Sequence, residues 1–411
     1  MRVNDIKVVE FGTYLSAPLV GKYLADAGFD VTSVQKPLRD EKSVCEHKFM
    51  KPMLHDLHRG KHTVMIDLKK NIEEAKSLIK KSHVLIENFQ VGCMERLGIG
   101  FKDCLRLNPD LIYVSLPGYN SKDDEYSHLK AWDSIIMATS GVYSDMGLNR
   151  TLLGVECSFS GLNMPSVYAS LYAASAIVSS LFDSSLGKHI EVSLASSLLE
   201  ALVHNSVEFP LNNSYKNLRQ LHIQKKHIPI NKKELEKLID PFFSKYICSD
   251  ARPIYIVCPS HTRHQIVLLK CLDIFDKVHD IIPQKIAPYS EKEYNGFGSG
   301  RLSQEEANLV RPLIQKAILT KTSNEWECIL GKHNIPCIAH KSMNEWKKTN
   351  HARESGLVDE NGHIGPVQWN HYVKPACTPC TKRFKDLKII DLTNVIAGPT
   401  IGAMLARLGA D

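Results

Sequence analysis

Short apolar runs alternate with stretches of helical spacing over the N-terminal part of the chain. Residues 6–11 (Ile-Lys-Val-Val-Glu-Phe) form a run that predicts a strand. Residues 18–27 follow with helical spacing, and Gly28 is the expected helix stop. Residues 31–34 and 63–67 predict two further strands, and residues 72–81 a helix. The runs 83–87 (His-Val-Leu-Ile-Glu) and 111–116 (Leu-Ile-Tyr-Val-Ser-Leu) complete the series. These strands are mostly apolar rather than alternating. Such runs belong to a parallel sheet with helices on both faces, so the pattern predicts a Rossmann-like α/β domain.

The large domain is expected over 1–210, followed by a polar, lysine-rich linker over 211–240. A smaller α/β domain is expected over 241–330, with a strand at 254–258 and a helix at 306–319. Between them lies a loop over 288–302 that carries Gly296, Gly298 and Gly300. Residues 331–375 are expected to return to the large domain, and 376–386 to form a connector. Residues 157–182 hold no charged side chain, a length that could span a bilayer. Seven serines, several alanines and Pro165 make the stretch only weakly apolar, and basic anchors are lacking. A buried helix with a small-residue face is the expectation, with no membrane partner.

Composition narrows the classes. Of 411 residues, 43% are hydrophobic and 23% charged, the usage of an ordinary globular protein. The net charge is +6 without a basic tract, which argues against a nucleic-acid partner. The first residues lack a signal-peptide apolar core, and eleven cysteines follow no framework spacing, so a cytoplasmic protein with reduced thiols is expected. The close pair Cys377/Cys380 has no second ligand pair, and no metal is expected. After the first strand comes Gly12-Thr-Tyr-Leu-Ser-Ala-Pro-Leu-Val-Gly21, which is not the dinucleotide fingerprint. Walker A, His-Glu-x-x-His and Gly-x-Ser-x-Gly patterns are missing too.

An internal repeat closes the chain. Residues 387–411 align without gaps on residues 6–30, with seven identities: Lys7/Lys388, Pro18/Pro399, Gly21/Gly402, Leu24/Leu405, Ala25/Ala406, Gly28/Gly409 and Asp30/Asp411. A second copy of the opening strand and helix therefore begins at 387. The expectation is a tandem protein of which this chain holds the first unit and the start of the second.

Ordered motifs carry a family resemblance across nearly the whole length. They are His58-Arg-Gly-Lys61 followed by Ile66-Asp-Leu-Lys69, then Glu87-Asn-Phe89 with Gly92 and Glu95-Arg-Leu-Gly98. Asn108-Pro-Asp-Leu-Ile-Tyr-Val-Ser115, Gly187-Lys188 and Ile190-Glu-Val-Ser193 follow. Late matches are Asn334-Ile-Pro336 and Arg353 with Gly356-Leu-Val358. The chain resembles the family III CoA-transferases, also called the CaiB/BaiF family. The resemblance implies that family's interlocked α/β fold, acyl-CoA and a small carboxylic acid as substrates, and a partner unit of the same fold. That partner would be the second unit in cis or an interlocked homodimer. The family works through covalent catalysis by an aspartate that carries CoA as a thioester.

Counting back from Gly187 by the family's spacing lands on Asn163-Met-Pro-Ser166, which holds no carboxylate, and Ser166 is the best counterpart of the nucleophile. The nearest upstream carboxylate is Glu156, a weak substitute because of its register. The sister racemases place a histidine before an aspartate where this chain has Trp132 and Asp133, so their base is lost too. The family register implies coenzyme A contacts at Ser16, Ala17, Lys36, Ile66, Lys69, Asn88, Phe89, Arg96, Leu97 and Lys130. Outside that register each Lys or Arg reads as a solvated surface charge, and Asn88 equally suits capping of the next helix. A tandem member with an Asp-less first unit is similar to the dimethylsulfoniopropionate CoA-transferase/lyase enzymes. That similarity implies CoA transfer by the full-length protein and an inactive fragment; the alternative is a non-catalytic CoA-binding or structural module.

Overall fold

The computed structural model describes residues 3–37, 48, 51, 53–145, 160–182, 186–202, 240–258, 262–282, 302, 304–356, 358, 359, 365, 384–394 and 397–411. Glu156, the Cys377/Cys380 pair, the glycines of the 288–302 loop and the 211–239 part of the linker lie outside these residues. Two compact units divide the chain. The first comprises Met1–Tyr143, Ser158–Val207 and Val367–Asp411, and the second Ser144–Cys157 and Glu208–Pro366.

The first unit is built on a six-stranded, wholly parallel sheet. Its strands are β1 (Lys7–Phe11), β2 (Asp30–Gln35), β3 (His62–Met65), β4 (Val84–Glu87), β5 (Ile112–Ser115) and β6 (His189–Glu191), in the order β3-β2-β1-β4-β5-β6. Every residue of β4 and β5 is buried, which is why these runs are apolar without alternation. On one side, α1 (Ser16–Asp26) ends where Gly28 takes a φ of +94° and the Phe29 N–H reaches back to the Leu24 carbonyl. This left-handed stop needs a residue without a Cβ. Elsewhere α2 (Ile72–Lys80) places Ala75 and Ile79 in a core with Val9, Phe11, Leu85 and Ile99.

Beneath α1 lies a buried ion pair. The Lys61 Nζ donates to Glu10 Oε2 at 2.7 Å with both side chains fully buried. Glu10 also accepts from Ser33 Oγ at 2.8 Å, and Lys61 donates to the Pro18 carbonyl at 2.7 Å. Burial pushes the Glu10 carboxyl up and the Lys61 ammonium down, and each partner opposes the shift of the other. A Cβ on Gly21 would stand 1.8 Å from Glu10 Oε2, so the helix approaches the carboxylate only because that position is glycine.

The uncharged stretch forms α6 (Met164–Phe182), which follows α3 (Cys93–Arg96), α4 (Phe101–Leu107) and α5 (Asp133–Thr139). Its Ser166, Ala169, Ser170, Ala173 and Ile177 are buried, and it packs on α1 and α7 (Leu194–Ala201). This is the expected small-residue face. The opposite stripe leaves Val167, Leu171 and Val178 exposed. By length and composition the helix could cross a membrane, and 44% of its apolar window is buried in the fold.

In the second unit, β7 (Phe243–Ile247), β8 (Pro253–Val257) and β9 (Cys337–Ala339) form an antiparallel sheet in that order. Among its helices α8 (Thr262–Cys271), α9 (Phe275–Ile281), α10 (Gln304–Ile318) and α11 (Ser323–Lys332), the buried Trp326 donates its indole N–H to the Ile318 carbonyl at 2.7 Å. Sequence patterning expects residues 331–375 to rejoin the large domain. The structure differs: Ile338 pairs with Tyr255, so the chain through Pro366 groups with the second unit. The three residues of β9 are too few to announce a strand by periodicity.

Residues 387–411 rebuild the opening of the chain locally. The Asp411 N–H donates to the Leu387 carbonyl at 2.9 Å, as Asp30 does to Ile6 at 3.1 Å. After α12 (Ala397–Arg407), Gly409 takes a φ of +97°, the counterpart of Gly28. Ile390 and Leu392 are 84% and 90% exposed, whereas their counterparts Val9 and Phe11 are each 1% exposed.

Removing one member of the buried pair leaves the other charge uncompensated. Lys61→Met is expected to cost about 3–5 kcal/mol, and the Glu10→Gln/Lys61→Met double variant to recover part of it. Urea unfolding of the three proteins checks this; equal stability of the single and double variants would contradict it.

Candidate functional site

Between β1 and β4 the sheet order reverses direction, and ligands of parallel α/β sheets bind beyond the strands' carboxyl ends at such a switch. A cavity of about 220 Å³ lies there. Its wall is formed by Thr13, Tyr14 and Ser16 after β1, Asn88 to Val91 after β4, and Leu116 to Gly118 after β5. The loop 127–133 and the heads of α6 and α7 close it through Ser166 and Leu194. A Cβ on Gly118 would stand 2.0 Å from the Ala131 Cβ, so glycine lets the two loops meet.

Asn88 holds the β1–α1 loop. Its Oδ1 accepts the Thr13 N–H at 3.0 Å, and its Nδ2 donates to the Thr13 carbonyl at 2.8 Å and to Ser16 Oγ at 2.9 Å. This clamp, rather than a cap on the following helix, is what the side chain does. It fixes the neighbouring Tyr14 at a φ of +67°, a conformation disfavoured for an aromatic residue. The Tyr14 ring meets Trp132 edge to face, with centroids 5.2 Å apart. Both rings are partly open to solvent at the cavity.

Across from them the head of α6 is tied to α5. Asp133 Oδ1 accepts from the Ser166 N–H and Oδ2 from Ser166 Oγ, both at 2.8 Å and both buried. One turn on, Ser170 Oγ donates to the Ser16 carbonyl at 2.8 Å, joining α6 to the head of α1.

Of the residues implied by the family register, Ser16, Asn88, Phe89, Lys130 and Ser166 line this cavity. The others do not. Ala17 is buried against Gly12, and Ile66 lies in the core. Lys36 is exposed directly after β2 and Lys69 after β3. Arg96 is exposed on α3 beside Gly92, and Leu97 packs on the core. Tyr14, Gln90, Ser127 and the positive sense of Asp133 escape the sequence reading. Their position on loops that follow β1, β4 and β5 was the available signal. Among the described residues no group of three or more His, Cys, Asp or Glu side chains could hold a metal.

Behind the cavity-lining Phe89, Glu87 accepts the Phe89 N–H at 2.8 Å. Burial raises its carboxyl to about 8, with Glu95 and Glu191 adding to the rise. Between about 4.5 and 8 the folded chain therefore holds a proton that the unfolded chain has released, so Glu87 withdraws stability as pH rises through that window. Glu87→Gln is expected to match the parent's melting temperature near pH 5 and exceed it above pH 8. Parallel melting curves at both ends of the window check this; identical curves throughout would refute it. Asn88→Ala removes the loop clamp and should cost about 1–2 kcal/mol with loss of hydrogen-exchange protection confined to residues 12–16. Protection that stays unchanged there would show that the clamp is dispensable.

The family model for CoA-transferase family III matches residues 3–377. The chain is 33% identical to a CoA-transferase/lyase DddD of Marinomonas sp. (strain MWYL1), over 99% of this chain and 55% of that protein. It is 27% identical to a succinate–glutarate CoA-transferase of Agrobacterium fabrum, over 47% of this chain and 50% of that one. It thus spans about half the length of the curated relatives it matches. A crystal structure of a CaiB/BaiF family protein from Brucella suis aligns with a TM-score of 0.66 at 19% identity, covering 89% of this chain and 92% of that one. A hypothetical protein, Rv3272, from Mycobacterium tuberculosis aligns with 0.66 at 18%, covering 90% and 93%. These likenesses show the fold, and with the family match over most of its length the chain belongs to the family III CoA-transferases.

Proposed function

We propose that this chain supplies the CoA-thioester-binding first unit of a tandem CoA-transferase that moves CoA between an acyl-CoA and a small carboxylic acid. The cavity at the β1/β4 switch carries the reading. At about 220 Å³ it is smaller than the roughly 300–1,000 Å³ of sites that enclose whole ligands. It suits the thioester end of the substrate, with the nucleotide outside it. The exposed Lys130 at its rim offers a cation to phosphate, and Trp132 and Tyr14 offer aromatic faces.

The head of α6 presents Ser166 rather than a carboxylate, so the nucleophile expected from the family pattern is not supplied by that helix. The partner in this reading is a second unit of the same fold, joined in cis through the repeat at 387–411. The exposed apolar stripe of α6 and the uncovered Ile390, Leu392 and Ile401 support it, because a partner of the same fold would take these side chains out of water. An interlocked pair of separate chains is the other arrangement that such surfaces fit.

Titration calorimetry with CoA and acetyl-CoA tests the site. Binding is expected, with Lys130→Ala weaker by about tenfold for the loss of one charge-assisted contact. A chain that does not bind CoA, or a Lys130→Ala affinity equal to the parent's, removes the assignment. For the tandem arrangement, the codons that follow Asp411 should encode a strand resembling β2.

A further inference from the structure

The repeat at 387–411 departs from the opening of the chain at two linked positions. In α1, Asp26 accepts from Lys22 Nζ at 2.8 Å, one turn back on the same helix, and Arg59 Nη2 stands 3.7 Å from its other oxygen. At the aligned positions of α12 the lysine is replaced by Ala403 and the aspartate by Arg407. The charge is inverted and its partner on the helix is removed. Arg407 reaches outward instead. Its Nη1 donates to Glu200 Oε1 on α7 at 2.8 Å, between residues 207 apart in the chain. Burial pushes the Tyr172 hydroxyl of α6 up, Glu200 adds to the rise and Arg407 opposes it, so both charges stand close to α6 as well. Just before the repeat, Phe384 meets Phe182 at the end of α6, with ring centroids 5.1 Å apart.

We propose that Glu200 makes the α6/α7 surface selective for its occupant: it accepts the first helix of a second unit through Arg407 and rejects a second copy of this first unit. The proposal rests on the reading of the chain as the first unit of a tandem protein. It concerns which arrangement, in cis or between separate chains, that surface admits. The path of α12 and its flanking turn is that of α1. A first unit placed where the second one begins would therefore set Asp26 opposite Glu200, two carboxylates in place of an ion pair. No residue of α12 is buried, and Ile401 and the outer stripe of α6 remain open. Those apolar side chains favour burial by whichever unit arrives, because the hydrophobic effect has no direction. Charge is what separates the two candidates. An exposed pair such as this one, with side chains 35% and 68% exposed, adds little affinity. Its effect is on choice: like charges brought together in an interface penalise the wrong partner by more than the opposite pair favours the right one.

Hydrogen exchange and sedimentation equilibrium on the chain test this. Glu200→Arg is expected to lower the protection of residues 397–411 about threefold, the size of one exposed ion pair. Arg407→Asp, which restores the first unit's residue, should lower it at least as much. The double variant Glu200→Arg/Arg407→Asp should recover most of the loss, since the pair is rebuilt with its charges exchanged. In sedimentation, Glu200→Arg is expected to self-associate about tenfold more tightly than the parent, because Asp26 of a second copy now meets a cation at two symmetry-related contacts. Salt should erase that difference. Should reversal disturb either helix, Glu200→Gln keeps the test, with smaller changes in the same directions. Unchanged protection in Glu200→Arg, a double variant no better protected than the single ones, or self-association equal to the parent's overturns the selection and leaves the tandem reading to the codons beyond Asp411. Codons that do not continue into a strand resembling β2 overturn the tandem reading, and the selection with it.

Discussion

The buried pair of Glu10 and Lys61 is the constraint from which the first unit's site hangs. Glu10 belongs to β1, Ser33 to β2, Lys61 precedes β3, and the Pro18 carbonyl lies in the first turn of α1. One lysine thus ties three strands' worth of chain to the head of a helix. Taking two charges out of water is costly, and the close contact together with two further hydrogen bonds offsets that cost. What the arrangement provides is placement. With Pro18 held, Ser16 sits where Asn88 from the β4 loop and Ser170 from α6 both reach it. The cavity is therefore assembled by polar contacts that run outward from a charged centre, not by the apolar core alone.

Much of this sheet is legible in the sequence because buried parallel strands write themselves as apolar runs. β1, β2, β3, β4 and β5 fall within two residues of the positions expected; β1, β4 and β5 are the buried runs, whereas β3, at the sheet edge, is mostly exposed. The small sheet is less legible for a physical reason. In β7 buried and partly exposed positions alternate over five residues, and β9 has three, so neither outweighs its polar neighbours. The site is legible in part. Ser16, Asn88, Phe89 and Lys130 converge as the motif register implies. Ile66 shows the limit of that reasoning, since a motif position is kept as readily for core packing as for contact with a ligand. Tyr14, Trp132 and Asp133, which opens α5, sit on or directly after loops whose course follows from long-range contacts and leaves no local period to read.

Asp133 illustrates how a cavity wall and its support become hard to separate. The same two hydrogen bonds that secure the start of α6 set the orientation of the carboxylate in the cavity wall. A residue so held has little freedom to reorient, so the heads of α5 and α6 keep a fixed spacing at the cavity. The clamp on the β1–α1 loop acts similarly on Tyr14. It keeps the ring in an unfavourable backbone conformation against Trp132 instead of letting it collapse into the cavity.

The repeat separates what local sequence encodes from what burial adds. Gly402 approaches Asp391 as Gly21 approaches Glu10, and Gly409 turns the chain as Gly28 does. Twenty-five residues with seven identities are thus enough to reproduce the path of strand, helix and return. The carboxylates differ in their surroundings. Glu10 is closed off from water and answered by a lysine from a distant segment, whereas Asp391 is exposed and held by the Thr393 N–H and hydroxyl beside it. Those local hydrogen bonds keep the Asp391 carboxyl below its usual value, while burial drives Glu10 above its own. Glycine, proline and the carboxylate set the geometry of the unit. The charge network and the apolar core are conferred only when neighbouring strands close over it.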